Sequence, residues 1–167
     1  MKMLKRCKKG CAWVLALLLL LPLLAVPQAY GANGIEVGRV CTITFKLDGQ
    51  YPELDNLPIP VKLYQVASVA TNGSYTALDA FKGLDFSKAN SEATAQMWSE
   101  MAQQASKMVT ADTPAAAQIQ IQKAEGQEHA TGRAEGLSTG MYLVIAESVQ
   151  SEQYVYDFIP YLVALPN

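Results

Sequence analysis

Chemistry at neutral pH needs a nucleophile with a base in hydrogen-bonding reach, and this chain has a single histidine, His129, to supply the commonest base. His129 lies in a stretch rich in Gly, Glu and Gln, with no cysteine or serine motif beside it, so it reads as a solvated loop residue. The acids fall as Glu53/Asp55, Asp79/Asp85, Glu125/Glu128 and Glu135, a spacing that sets neither a calcium loop nor two carboxylates across a cleft. They read as solvated faces. One histidine and one cysteine beyond the leader do not make a zinc site without several converging carboxylates. No Gly-rich loop joins a strand to a helix in the order that cradles phosphate. The expectation is a protein with no catalytic, metal or cofactor residues, and not an enzyme.

Lys2, Lys5, Arg6, Lys8 and Lys9 precede an apolar run from Ala12 to Val26. Basic residues before such a run are the opening of a secretory signal. The run falls short of the roughly 20 residues of a membrane-crossing helix and contains Pro22, so a permanent anchor is the weaker reading. The small residues of Ala29-Tyr30-Gly31-Ala32 place cleavage after Gly31, with Ala29 and Ala32 as neighbouring alternatives. Cys7 and Cys11 precede the apolar run and Cys41 lies well beyond it, which argues against a lipidated cysteine. Residues 1–31 are thus expected to be a cleaved signal peptide, leaving 32–167 as one domain.

Cleavage removes five of the 13 basic residues and no acid, leaving eight bases against 15 acids, a net charge of −7. Such a balance repels phosphate backbones and gives no footprint for nucleic acid. Contact with a membrane is expected only through the signal peptide during export. With Cys41 the one remaining cysteine, no internal disulfide forms, and an isolated cysteine usually packs as a small apolar residue.

The elements follow from periodicity. Cys41, Ile43, Phe45 and Leu47 alternate with Thr42, Thr44 and Lys46, the pattern of a half-buried strand. Asp48-Gly49 ends it, and the Pro-rich stretch from Pro52 to Pro60 reads as a loop. A second strand is expected from Val61 to about Ala70, followed by a hairpin at Asn72-Gly73. The Asn72-Gly73-Ser74 triplet also fits a glycosylation acceptor, but turn chemistry explains the same residues.

Over residues 90–109 the period changes: Met97, Trp98, Met101, Ala102, Ala105, Met108 and Val109 form one stripe of an amphipathic helix, capped by Asn90 or Ser91 with Glu92 in its first turn. Covering a sheet is the better use of that stripe than binding a ligand. Ile119 and Ile121 among glutamines suggest a short edge strand, and Glu125 to Thr139 reads as a mobile loop or irregular hairpin. Met141 to Ala146 and Tyr154 to Leu165 supply closing strands, the second constrained by Pro160. The simplest architecture is mainly β, a sandwich with one inserted amphipathic helix.

Four stretches in order, Val40–Lys46, Val61–Ala67, Gly136–Val144 and Pro160–Pro166, resemble the N-terminal domain of the sortase-assembled backbone pilins of Gram-positive bacteria. The resemblance spans nearly all of residues 32–167. It implies an immunoglobulin-like β-sandwich, exported and placed at the contact between successive subunits of a covalent fibre, with other pilin subunits as partners. In that family a sortase joins a C-terminal threonine of one subunit to a lysine of the next. This sequence ends at Leu165-Pro166-Asn167, without the family's later domains, sorting signal or linking lysine, so it is expected to be an N-terminal portion of a longer subunit or a stand-alone product. Sortase is a partner only in the first case.

Related sandwich domains also form an internal Lys-to-Asn amide assisted by a buried acid, six residues after the glycine of a Gly-x-Tyr motif. Here Ala146 holds that place, and Glu147 comes one later, on the opposite face of a strand. No such bond is expected, and Lys46 and Asn167 are weak candidates for its ends. The expected function is a non-catalytic module of a Gram-positive surface pilus, secreted and carried at the cell surface or wall. The alternative is a stand-alone adhesin-like module for a host protein or glycan. A glycan platform would expose two or three coplanar aromatic rings; Tyr154, Tyr156 and Tyr161 are the candidates, although alternating strand residues more often pack inward.

Overall fold

Alternating residues do form the first strand, β1 (Cys41–Lys46). The computed structural model of the chain describes residues 34–89 and 93–166. The signal segment, the caps assigned to Asn90, Ser91 and Glu92, and Asn167 lie outside them. After β1 come β2 (Ile59–Val69), β3 (Tyr75–Ala77), the helix α1 (Ala95–Met108), β4 (Ala117–Ile121), β5 (Thr131–Leu137), β6 (Gly140–Ala146), β7 (Val149–Gln150), β8 (Val155–Tyr156) and β9 (Tyr161–Leu165). Short 3-10 turns occupy Pro52–Asn56 and Asp79–Phe81. The described chain is mainly β, with curled antiparallel sheets and one helix.

β2 and β6 form the centre of the larger sheet. β6 lies between β2 and β9, while β3 and β4 pair with opposite ends of the other edge of β2. β1 pairs with β5 in a separate ribbon. A bridge between Gln122 and Thr131 carries the chain after β4 onto the start of β5, so the two assemblies are stitched at one end.

Period two then divides the core. Ile59, Val61 and Leu63 of β2, with Tyr142 and Val144 of β6, join Cys41, Ala134 and Leu137 of the ribbon in one apolar cluster. The intervening Tyr64 and Val66, with Met141 and Leu143, face Met101, Ala102 and Ala105 of α1 and the turn residues Phe81 and Leu84 in a second. The larger sheet is therefore covered on both faces, by the ribbon on one and the helix on the other. Leu63 and Leu143 are fully buried, and truncation of such a residue to alanine removes about 2–5 kcal/mol.

Several expectations are refined. α1 starts at Ala95, later than a cap at Asn90 or Ser91 would place it, because Thr94 accepts the Met97 N–H at 3.2 Å and caps it. Its Met and Ala stripe packs on the sheet, and Trp98 lies half-buried against the same cluster. At the β2–β3 hairpin, Gly73 alone adopts positive φ (84°), while Asn72 accepts the Ser74 N–H at 3.0 Å in an Asx turn. Cys41 is a buried core residue, as its isolation suggested.

The stretch from Glu125 to Thr139, read as a mobile loop or an irregular hairpin, contains a strand, β5. Its inward positions are Gly132, Ala134 and Leu137, too small on average to show a hydrophobic period. Space explains the glycine, since a Cβ on Gly132 would lie 2.9 Å from the Gln120 carbonyl oxygen. The single closing strand expected from Tyr154 to Leu165 is two, β8 and β9, separated by a segment containing Pro160.

Candidate functional site

Outside the core, the described surface concentrates its aromatic residues at one place. β7 and β8 form a small hairpin, with Val149 opposite Tyr156 and Gln150 opposite Val155. Its turn is built by Ser151, whose N–H donates to the Tyr154 carbonyl at 2.8 Å while its hydroxyl oxygen accepts the Tyr154 N–H at 3.0 Å and the Gln153 N–H at 3.3 Å. At the hairpin base, the Ser148 hydroxyl donates to Asp157 at 2.5 Å. Tyr154 and Tyr156 are two residues apart, so strand alternation brings them to one face. Their ring centroids lie 6.3 Å apart with planes at 62°.

The other wall comes from the loop after β1. Pro52 begins a 3-10 turn whose missing N–H suits the first position of a helical turn. Tyr51, just before it, meets Tyr156 edge to face at 5.9 Å. The Tyr156 hydroxyl donates to the Glu53 carboxylate. That bond holds Glu53 below the usual carboxylate range and pushes the phenol of Tyr156 up to about 12. At neutral pH the carboxylate is thus an acceptor and the phenol keeps its proton.

Between the turn and the hairpin runs a cleft of about 480 Å³, with Glu53, Asn56 and Leu57 on one side and Glu152, Gln153 and Tyr154 on the other. Tyr51 and Tyr154 are 51% and 59% exposed. Of the three tyrosines considered from sequence, Tyr154 and Tyr156 are together, Tyr156 being half-buried, and Tyr161 stands apart on β9. Tyr51 is not singled out by the sequence, and Glu53, read there as a solvated acid, is instead the acceptor for Tyr156. An aromatic residue inside the polar, Pro-rich loop was the available signal.

His129 requires a correction. Its ring is largely covered, resting over Gly49, where a Cβ would lie 2.6 Å from Cε1. Nδ1 meets Asp55 Oδ2 at 3.2 Å, and the other Asp55 oxygen accepts the Ala130 N–H at 2.6 Å. Asp55 is buried, not a solvated acid, and the Ala130 bond keeps its carboxyl below the ordinary range. A His–Asp pair can orient a general base, but Nε2 here faces Glu128 Oε1 at 3.8 Å. The pair acts as a clasp between the Pro52–Asn56 turn and the start of β5.

The remaining acids stay apart. Asp79 pairs with Lys82 at 3.0 Å and Glu135 with Arg133 at 2.7 Å, both on the surface, and Asp85 accepts the Ser87 N–H at 2.9 Å. Glu147 points outward to Lys62 at 2.9 Å, while Ala146 packs toward the ribbon-side core. Lys46 is exposed. Among the described residues no group of three or more His, Cys, Asp or Glu is arranged to hold a metal, and no helix is long and apolar enough to cross a membrane.

A second feature is the seam between β1 and β9, each of which pairs with one strand only among the described residues. An apolar pocket of about 240 Å³ opens there, lined by Phe45 within and Leu47 just after β1, Val144 and Ala146 of β6, and Phe158 and Ile159 before β9. Ile159 is 75% exposed. Comparison with protein-family models, with curated proteins and with solved structures finds no match for this chain.

Proposed function

We propose that this chain is a non-catalytic structural module of a Gram-positive cell-surface pilus or fibre, exported by its N-terminal signal and meeting other subunits through the β1–β9 seam. The observation that carries the reading is the seam itself. Among the described residues β1 and β9 each leave one edge unpaired, and these edges flank an apolar pocket beside an isoleucine that is 75% exposed. Free edges and exposed apolar patches are what a lone domain avoids and what a subunit contact covers. A second copy of the module is the occupant that a fibre provides, and sortase is the enzyme that would join copies in a longer product.

The pilin resemblance is consistent with this arrangement. Its four stretches correspond to β1, β2, the β5–β6 corner with β6, and β9, so three of them are adjacent in one sheet. An immunoglobulin-like sandwich is the finer fold proposed. Supporting it, the β1–β5 ribbon faces the larger sheet across a shared core, and at the corner between them the Tyr142 hydroxyl donates to the Ser138 carbonyl at 2.8 Å. A tyrosine tied back to the chain a few residues upstream is a device of such sandwiches.

Immunogold labelling of the source organism tests the function. Label along filaments, lost in an Ile159→Asp strain that still exports the protein, is the expected result. Diffuse label with no filament in either strain contradicts it. A second reading, an adhesin-like binding module, is favoured by one specific observation, the polar cleft at the β7–β8 hairpin with Tyr154 in its wall.

A further inference from the structure

We infer that the cleft between the Pro52–Asn56 turn and the β7–β8 hairpin binds a neutral saccharide, entering as a terminal or short unit. The inference rests on the binding-module reading and names its ligand class. It begins with the lining. Asn56 and Gln153 supply amides that donate and accept, and Glu53 and Glu152 supply acceptors. Adjacent sugar hydroxyls are both donors and acceptors, which such a mixture matches. Tyr154, on the same wall, offers an apolar ring surface with a polar tip, suited to a ligand with an apolar C–H face and a hydroxyl rim.

Charge narrows the class. Among the described residues two carboxylates and no lysine or arginine line the cleft, so sialylated, sulfated and phosphorylated ligands are disfavoured. The ring angles narrow it further. Tyr154 and Tyr156 are inclined by 62°, and Tyr51 and Tyr156 by 62° as well. Of the three, Tyr154 lines the cleft, and a single ring beside steeply inclined neighbours suits a chain end, not the flat track along which a long polysaccharide lies.

The site is also pre-organised, which lowers the ordering cost of binding. Tyr156 is held by Glu53 and wedged between Tyr51 and Tyr154, and the Ser151 turn fixes Tyr154. A volume of about 480 Å³ falls within the roughly 300–1,000 Å³ of small-ligand sites. A protein partner would also use tyrosines, but the buried centre of a protein interface is depleted of Glu and Asp, whereas two glutamates line this cleft.

The test uses the whole chain, expressed with its leader and recovered from the medium, on immobilised neutral, sialylated and sulfated oligosaccharides. Titration of the best neutral ligand against Tyr154→Ala and Gln153→Ala follows. Both positions are exposed, and an unchanged melting temperature verifies that each variant folds. Binding to a neutral oligosaccharide, weakened about tenfold or more by Tyr154→Ala and weaker for its sialylated form, is expected. Binding indifferent to Tyr154→Ala, a preference for the sialylated form, or no binding at millimolar concentrations overturns the proposal. In the last case an enzymatically deglycosylated extracellular-matrix protein is offered. Tyr154-dependent capture there overturns the saccharide but keeps the binding module, and no capture overturns both.

Discussion

Gly140 has a φ of +150°, and a methyl group there would lie 2.4 Å from the Ala67 carbonyl oxygen. Two penalties therefore meet at one residue, a backbone conformation that L side chains rarely adopt and a collision with β2. Gly136 has positive φ (73°) but open space around it. Gly136→Ala should cost about 1–2 kcal/mol in denaturant unfolding, and Gly140→Ala distinctly more. Equal losses would mean that the close approach to Ala67 carries no weight.

At the same scale, Asp55 sets a pH dependence. Its folded pKa is depressed, chiefly by the Ala130 N–H bond, so its stabilisation is complete above the unfolded carboxylate value and is lost as pH falls through the lower folded one. Unfolding followed across that acidic window should show the wild type losing stability and Asp55→Asn losing less. Parallel curves for the two proteins would assign the acid sensitivity elsewhere.

At the scale of elements, α1 depends on a cap and a stripe. Thr94→Ala removes the bond to the Met97 N–H and should lower stability by about 1 kcal/mol. Ala105→Leu, at a fully buried position against the sheet, should cost about 1–3 kcal/mol by overpacking. Thermal unfolding separates these from an exposed control such as Gln103→Ala, for which no change is expected.

These elements differ in how far they can be read from residues alone. β1 and β4 alternate apolar and polar residues, β2 and β6 stand out as apolar runs covered on both faces, and the methionine stripe of α1 is equally plain. β5 is not legible, because close approach to β4 demands Gly132 and leaves Ala134 as a weak inward signal. The start of α1 was placed early because Asn90, Ser91 and Thr94 are all competent caps, and only local geometry decides among them. The tyrosine cleft was half legible: Tyr154 and Tyr156 share a strand parity, but Tyr51 and Glu53 reach them from about a hundred residues earlier in the chain. The Asp55–His129 clasp was hidden for the same reason, since 74 residues separate its partners.

The whole molecule combines a doubly covered sheet, a polar cleft beside a tyrosine cluster and an open apolar seam. Glu147 turns outward to Lys62 and Ala146 packs toward the core, so the position six residues after Gly140 does not hold the acid that an internal amide bond needs. Intact mass of the exported protein should thus show no loss of ammonia. That the chain is a subunit of a covalent fibre is the central claim. It is tested most directly by expressing the gene with its flanking genomic DNA in its source organism and running cell-wall extracts on a denaturing gel after boiling. The account predicts a ladder of covalent polymers reactive to antibody against this chain. A single monomeric species in both medium and wall extract would contradict it.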